Sequence, residues 1–599
     1  MIPTPTLAAN WPDSYRNFAC VARARAATTP DAVAFTFLDY ATEVPQEQMF
    51  DCAALDRRAR QVAALLQSRV RAGDRVLLCY PAGLDFLAAF FGCLYANVVA
   101  VPAYPPLNPR LSARLATVAL DCDAMLALTT RATSHGMREQ ASLPAALADL
   151  EWLSTDAGLD GLEHAWRDPV ALPEQVAFLQ YTSGSSGLPK GVMVTHGNVL
   201  HNVHAINAQM QFGPSDHLFS WLPPYHDMGL VGAIMSPFGS GIPMTFMTPH
   251  AFLRRPLRWL REISERRCSV SGAPNFAFEM CIAKIGDEEL GTLDLSSWSL
   301  AFSGAEPVKR DTLERFSARF ARCGFQRRAF YPCYGMAETT LIVTGKPRER
   351  AFRTVDVDRD AYGAERRVIV LDDHDAAGRP SQTVVSCGTA APGFKVVIVD
   401  PVRLAPCAEG EVGEIVVTGP SVAAGYWKRE LETLATFGAH LLGHDGTFLR
   451  TGDLGFMHEG ELFVSGRLKD VIIVRGVNHY PQDLESTVDD CHEAIRAGCG
   501  ICFGVEHESD ERVVFVQEIV RRDLERADEI MRAIRTAVLA RNDVLLNAVV
   551  LVENGSINKT TSGKLSRRPC REEFLRDELR AIARWQQPDV ERSVDRVEA

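Results

Sequence analysis

An α/β fold in two unequal units is predicted: a large N-terminal unit of layered sheets and helices, then a small α+β C-terminal unit. Three features of the 599-residue chain predict it. Short apolar runs alternate with helical patterns over most of the length, as in helices layered on sheets. No fixed-period repeat interrupts the alternation, which argues against a solenoid. Past residue 469 the alternation restarts over about 115 residues, enough for a compact unit of its own.

Taken in order, residues 75–80 read as a buried strand and 84–95 as a helix. Residues 98–101 read as another strand, stopped by Pro102, which lacks a backbone donor. Residues 176–181 form a strand running straight into a glycine–serine loop. Further strands are expected at 368–371, 396–399, 414–417, 461–464 and 470–474. Beyond them, helices are expected near 483–496 and 524–540, with strands at 498–503 and 512–518. This divides the chain into a large unit (1–466), a short connection (467–469), a small unit (470–586) and a polar tail (587–599).

Composition narrows the function. Hydrophobic residues are 47% and charged residues 23%, ordinary for a globular protein with substantial cores and unlike disordered, collagen-like or coiled-coil chains. A formal charge of −12 offers no general footprint for a nucleic-acid backbone, so no nucleic-acid partner is expected. The uncharged stretches 86–109 and 229–253 are interrupted by prolines, so no membrane span is expected. Residues 1–18 carry no basic segment followed by an apolar run, and the 15 cysteines lack a repeated spacing. Both point to a cytoplasmic protein with reduced thiols.

The strongest local signal is Tyr181-Thr-Ser-Gly-Ser-Ser-Gly-Leu-Pro-Lys-Gly191. Backbone donors and hydroxyls at Thr182, Ser183, Gly184, Ser185, Ser186 and Gly187 can converge on phosphate oxygens, and Lys190 adds a cation. Pro189, and a glycine after Lys190, exclude a Walker A loop. This segment resembles the phosphate loop of the adenylate-forming enzymes, the superfamily of acyl-CoA synthetases, peptide-synthetase adenylation domains and firefly luciferase. The other family motifs follow in order. They are Trp221-Leu-Pro-Pro-Tyr-His-Asp-Met-Gly-Leu230, Ser303-Gly-Ala-Glu-Pro307, Tyr334-Gly-Met-Ala-Glu338, Thr451-Gly-Asp-Leu-Gly455, Gly466-Arg-Leu-Lys-Asp470 and Thr561-Ser-Gly-Lys564.

The resemblance implies the adenylate-forming (ANL) fold, with ATP and Mg2+ as cofactors. It implies an adenine side formed by Gly304, Ala305, Glu306, Tyr334, Gly335, Met336 and Ala337, a ribose contact from Asp453, and a ribose or phosphate contact from Arg467. Glu338 offers a hard carboxylate oxygen suited to Mg2+ on ATP phosphates. His226, Asp227, Met228 and Gly229 would shape the acyl pocket, although His226 reads equally as a structural histidine. Lys469 is the hinge pivot. Lys564 is the expected catalytic residue, because a mobile ammonium stabilises charge spreading over the reacting oxygens. Asn558 departs from the proline many relatives carry before this loop. Cys499 and Cys502 have metal-compatible spacing without a second pair and read as buried packing. His201 and His204 read as neighbours on one helix.

Within the superfamily, Tyr225-His-Asp-Met-Gly-Leu230, Ala337, Asn478 and Tyr480-Pro-Gln-Asp483 resemble fatty acyl-AMP ligases. Many acyl-CoA synthetases have threonine at the position of Ala337. Fifty residues separate Glu338 from Gly388, more than acyl-CoA synthetases typically use, and 16 of the 35 residues at 346–380 are charged. A segment so charged is expected outside the core, as an insertion (346–386) that restrains the small unit and disfavours CoA. The expected reaction activates a medium- or long-chain fatty acid to acyl-AMP and transfers it to an acyl carrier protein in trans. An acyl-CoA synthetase is the alternative, and a non-catalytic nucleotide-binding protein a remoter one.

Overall fold

Strand Arg75–Cys79 is the hub of the first sheet. In the computed structural model, which describes residues 15–139, 143–182, 189–371, 379–474, 477–507, 510–559 and 565–587, this strand pairs in parallel with Val99–Ala103 and with Leu126–Thr129. Helices cover such a sheet, so from Val76 on the strand is continuously apolar instead of alternating. Glu151–Ser154, Val176–Thr182 and Lys190–Thr195 complete six strands, the last one antiparallel. Helices Cys52–Gln67 and Leu84–Ala96 meet at Gly92, where a Cβ would lie 2.6 Å from the Val62 side chain. Pro102 does not stop its strand, contrary to the sequence expectation. The strand pairs with Val176–Thr182 only at Ala100, so no ladder partner on that side is lost at Pro102.

The second sheet has nine strands. Leu300–Ser303 and Phe330–Gly335 lie near one end, and the hairpin Val33–Asp39/Gln46–Asp51, which the sequence did not announce, forms the other. Trp259, Trp298, Phe278, Phe316 and Phe330 form an aromatic core against it. Its inner strands are parallel, and the loops leaving Ser220, Ser303 and Gly335 emerge at their C-terminal ends, where α/β sheets bind ligands. A four-stranded antiparallel sheet, Lys395–Val399, Gly413–Thr418, Leu449–His458 and Glu461–Arg467, closes the large unit. A 3-10 turn, Leu468–Asp470, follows it.

The insertion corrects the expectation that it lies wholly outside the core. Thr354–Asp358, Val370–Leu371 and Ser381–Val385 form a separate three-stranded sheet, joined by helix Arg359–Ala364. Alternation explains how a charged segment does this: Val355 and Val357 turn inward while Asp356 and Asp358 turn outward. Tyr362 is buried, its ring 5.5 Å from that of Tyr480 and 6.1 Å from that of Phe456. The Asn478 amide donates to the Gly363 carbonyl at 3.0 Å, so the insertion touches the segment just beyond the hinge.

The small unit is a four-stranded sheet, Gly500–His507, Asp510–Ile519, Ala548–Glu553 and Ala581–Gln586, packed on helices Pro481–Asp489, Ala527–Asn542 and Arg567–Leu575. The first helix ends at Asp489, not near residue 496. Beyond it, local side chains take over the backbone donors: Asp489 accepts from Gly498 N at 2.7 Å and His492 from Ala494 N at 3.1 Å. Cys499 and Cys502 are buried, and all fifteen cysteines are free thiols. His201 and His204 lie on helix His196–Met210. Among the described residues, no helix is long and apolar enough to cross a membrane.

Asp483, at the start of the first small-unit helix, supplies a pH test. Burial pushes its carboxyl up to about 7, Glu485 adds to the rise, and Gln382 of the insertion and Lys309 oppose it. The folded value exceeds the unfolded one, about 3.9. Its stabilising contribution is therefore full below about pH 4 and lost as pH rises to about 7. Asp483→Asn is expected to raise Tm above the parent's at pH 8 and to converge with it at pH 4. An equal difference at both pH values contradicts this.

Candidate active site

Strand Phe330–Gly335 delivers the first side chains. At its end Gly335 passes so close to the returning chain that a Cβ would lie 1.8 Å from the Leu341 carbonyl oxygen, which excludes any side chain. The 3-10 turn Ala337–Thr339 follows, and then Thr340 takes φ 68°. Leu341 N donates to Thr339 O at 2.8 Å across it, closing a γ-turn of the left-handed kind. A β-branched residue there costs about 1–3 kcal/mol. It is held by burial and by the Thr340 hydroxyl donating to Ser421 O at 2.8 Å. This strained return fixes Glu338 at the head of the turn.

Glu338 is buried, and burial pushes its carboxyl up. The Tyr426 hydroxyl opposes that by donating to Glu338 Oε1 at 2.8 Å. Tyr426 also carries the Lys190 ammonium 5.1 Å from its ring centre, and Lys190 pairs with Glu432. One tyrosine thus couples the lysine of the phosphate-loop segment to the expected metal carboxylate. Its position in Ala-Ala-Gly-Tyr426-Trp gave no chemical signal, and sequence reasoning missed it.

The hairpin Leu449–His458/Glu461–Arg467 sets Asp453 opposite Arg467 in register. The Tyr334 hydroxyl donates to Asp453 Oδ2 at 2.8 Å, while Arg467 Nε lies 3.5 Å from Oδ1. Asp453 raises the Arg467 guanidinium above its usual range, and that side chain is 74% exposed. Gly304 follows strand Leu300–Ser303 and abuts Cys333, and Ala305 turns at φ 69°. The Glu306 carboxylate accepts from Phe276 N at 2.6 Å, capping helix Asn275–Lys284. The carboxylate of Asp227 accepts from Met228 N at 2.6 Å and lies 2.6 Å from His226 Nδ1, at the head of the π-helix Met228–Met235. A Cβ at Gly229 would lie 2.0 Å from the Pro223 carbonyl oxygen.

One cavity of about 2870 Å3 gathers these groups. Thr182, Lys190, His226, Asp227, Met228, Gly304, Ala305, Glu306, Tyr334, Gly335, Met336, Ala337, Glu338, Asp453, Arg467 and Lys469 all line it, whereas Gly229 does not. Ser183, Gly184, Ser185, Ser186, Gly187 and Lys564 lie outside the described residues. The stems of the Lys564 loop are described: Lys559 and Leu565 bridge in antiparallel fashion, and Ser566 N donates to Asn558 O at 2.8 Å. Lys559, Leu565 and Arg567 line the same cavity. Arg567 ties that stem to Asp470 at 2.9 Å and Glu485 at 2.7 Å. Across the units, Lys309 pairs with Asp489 at 2.8 Å. Apolar walls missed in the sequence come from Ile206, Met210, Phe276 and Met280.

Residues 22–427 match the AMP-binding enzyme family, and residues 469–584 match the AMP domain of the Disco-interacting protein 2-like family. A medium-chain-fatty-acid–[acyl-carrier-protein] ligase, JamA of Moorena producens, is 43% identical over 88% of this chain and 90% of its own length. The chain is an AMP-binding enzyme of the fatty acyl-AMP ligase group. A long-chain-fatty-acid–AMP ligase, FadD32 of Mycolicibacterium smegmatis, is 36% identical to this group member over 92% of the chain and 93% of its own length. The crystal structure of a fatty acid AMP ligase from Legionella pneumophila is 37% identical, covers 96% of this chain and 98% of its own, and superposes with a TM-score of 0.74. The adenylate-forming fold of this ligase group is therefore that of the present chain.

Proposed function

We propose that the enzyme joins a fatty acid to the α-phosphate of ATP, releasing pyrophosphate, and then transfers the acyl group to the phosphopantetheine thiol of an acyl carrier protein, releasing AMP. The carrying observation is the single cavity. It presents Lys190 and Glu338 for phosphates, the Tyr334–Asp453–Arg467 chain for a ribose, and apolar walls for a hydrocarbon. In the first step a carboxylate oxygen bonds to the α-phosphorus as the bond to the leaving pyrophosphate breaks. Lys190, and Lys564 from the small unit, offset the negative charge that develops. The relatives' names, acyl-carrier-protein ligase and AMP ligase, favour the same sequence of steps.

The donor set fits Mg2+. Among the described residues no cluster of three His, Cys, Asp or Glu side chains forms a metal cage. Mg2+ is commonly held by one or two carboxylates plus substrate phosphates. Glu338, oriented by Tyr426, would be that carboxylate, and the ion would offset negative charge on the ATP phosphates. Fatty-acid-dependent pyrophosphate release, with acyl-AMP identified by mass, tests the activity. ATP binding without release would instead indicate a non-catalytic nucleotide-binding protein.

The choice of carrier over free CoA rests on the insertion. Once acyl-AMP forms, the small unit would rotate about Lys469 to admit a thiol, breaking the contacts of Asn478 with Gly363 and Arg366. A carrier has surface enough to offset that loss; CoA has little. Asn478→Ala with Arg366→Ala is expected to raise acyl-CoA formation about tenfold, since 1.4 kcal/mol changes a population tenfold. Acyl-AMP formation should stay unchanged, because neither residue lines the nucleotide end. No gain in acyl-CoA rejects the insertion as the barrier.

A further inference from the structure

We propose that Lys309 is a positioning residue that latches the small unit in the orientation forming acyl-AMP, its ammonium docking on the acidic side of helix Pro481–Asp489 and letting go before a thiol is acylated. This rests on the two-step reading above and adds to it a residue that sets the balance between the steps. Lys309 belongs to the large unit. It is the N-cap of helix Arg310–Phe320, two residues past the Ser303–Pro307 motif. Its backbone is anchored: Lys309 N donates to Asn275 Oδ1 at 3.2 Å, and the Asn275 amide donates to the Thr312 hydroxyl at 3.0 Å. Asn275 is buried, so the lysine side chain leaves from a fixed point beside that motif.

The receiving end is equally fixed. Lys309 Nζ donates to Asp489 Oδ2 at 2.8 Å, while Asp489 Oδ1 accepts from Gly498 N at 2.7 Å. Glu485 lies one turn earlier on the same face of the helix. Burial opposes the Lys309 charge, but Asp489, Glu485 and Glu306 outweigh it and raise the ammonium above its usual range. From Glu485 the contacts continue into the catalytic arm. Glu485 accepts from Cys502 N at 2.9 Å and from Arg567 at 2.7 Å, and Arg567 also reaches Asp470 at 2.9 Å, just past Lys469. Arg567 stands three residues after Lys564. Seating Lys309 on this helix therefore sets where the Lys564 loop lies relative to the large unit. An ion pair so far from water, its side chains 26% and 13% exposed, adds little to overall stability, because lost hydration offsets the attraction. Its effect is on orientation: the pair exists in one arrangement of the units and is broken in the other.

The test measures the two steps apart, with the full chain. One assay follows pyrophosphate release from fatty acid and Mg-ATP. The other follows AMP release from preformed acyl-AMP on adding a phosphopantetheine-bearing acyl carrier protein below saturation, where the rate tracks the rotated population. Loss of the latch multiplies that minority while barely depleting the majority. Lys309→Met is therefore expected to speed AMP release about tenfold and to slow pyrophosphate release less than about twofold, with the ATP requirement unchanged. Damage to the fold would slow both steps, whereas a released latch speeds the second. Asp489→Asn keeps an acceptor for Gly498 N and should give the same pair of changes if the Lys309 variant folds poorly. Slower or unchanged AMP release in both variants, or a raised ATP requirement at unchanged turnover, overturns the latch while the two-step reading stands. No pyrophosphate release by the parent with any acid rejects that reading, and the latch with it.

Discussion

Replacing Lys564 by alanine should lower fatty-acid-dependent pyrophosphate release by about 10²–10³-fold, the effect of removing one preorganised group aimed at developing charge. The large unit supplies Lys190, Tyr334, Glu338 and Asp453, so ATP affinity measured by calorimetry should change little. The stems of the Lys564 loop explain why the effect should be specific. Lys559 and Leu565 bridge, Asn558 accepts from Ser566, and Arg567 anchors to Asp470 and Glu485. These bonds are made without Lys564, so the variant should fold with an unchanged Tm. Near-parental release would remove Lys564 from the reaction.

Glu338→Gln is the second large effect. Loss of the buried carboxylate should cut turnover by about 10²-fold at limiting Mg2+, and raised Mg2+ should restore part of it, since one charged ligand is gone. Asp453→Ala instead removes the acceptor of the Tyr334 hydroxyl and the partner of Arg467. It should raise the ATP requirement with no recovery on adding Mg2+. A Mg2+ titration of both variants at fixed ATP separates the roles, and identical responses would refute the division.

The parts of this site legible in the sequence were those whose chemistry sits in consecutive residues. Tyr334-Gly-Met-Ala-Glu338 announced a turn with a carboxylate, and the glycine-rich run after a strand announced a phosphate loop. Long-range contacts were not legible. Tyr426 reaches Glu338 from 88 residues away, and nothing local marks its hydroxyl as a partner. The pairing of Asp453 with Arg467 depends on hairpin register.

The fold followed a similar division. Continuous apolar runs such as residues 76–80 marked buried parallel strands, because both of their faces are covered. Charge density misled at the insertion. There, alternation along Thr354–Asp358 places charges outside and Val357 inside, so an average over the segment concealed a core. Residues near 490–498 misled in the opposite way. Helical patterning continued, but His492 and Asp489 capture the backbone donors and end the helix early.

The central claim is that the enzyme makes acyl-AMP and hands it to a carrier protein. The most direct measurement supplies fatty acid, Mg-ATP, and equal concentrations of CoA and a phosphopantetheine-bearing acyl carrier protein, then follows all products by mass. The expected result is acyl-AMP and acyl-carrier thioester, with acyl-CoA a minor product. Abundant acyl-CoA from the unaltered enzyme would contradict the account.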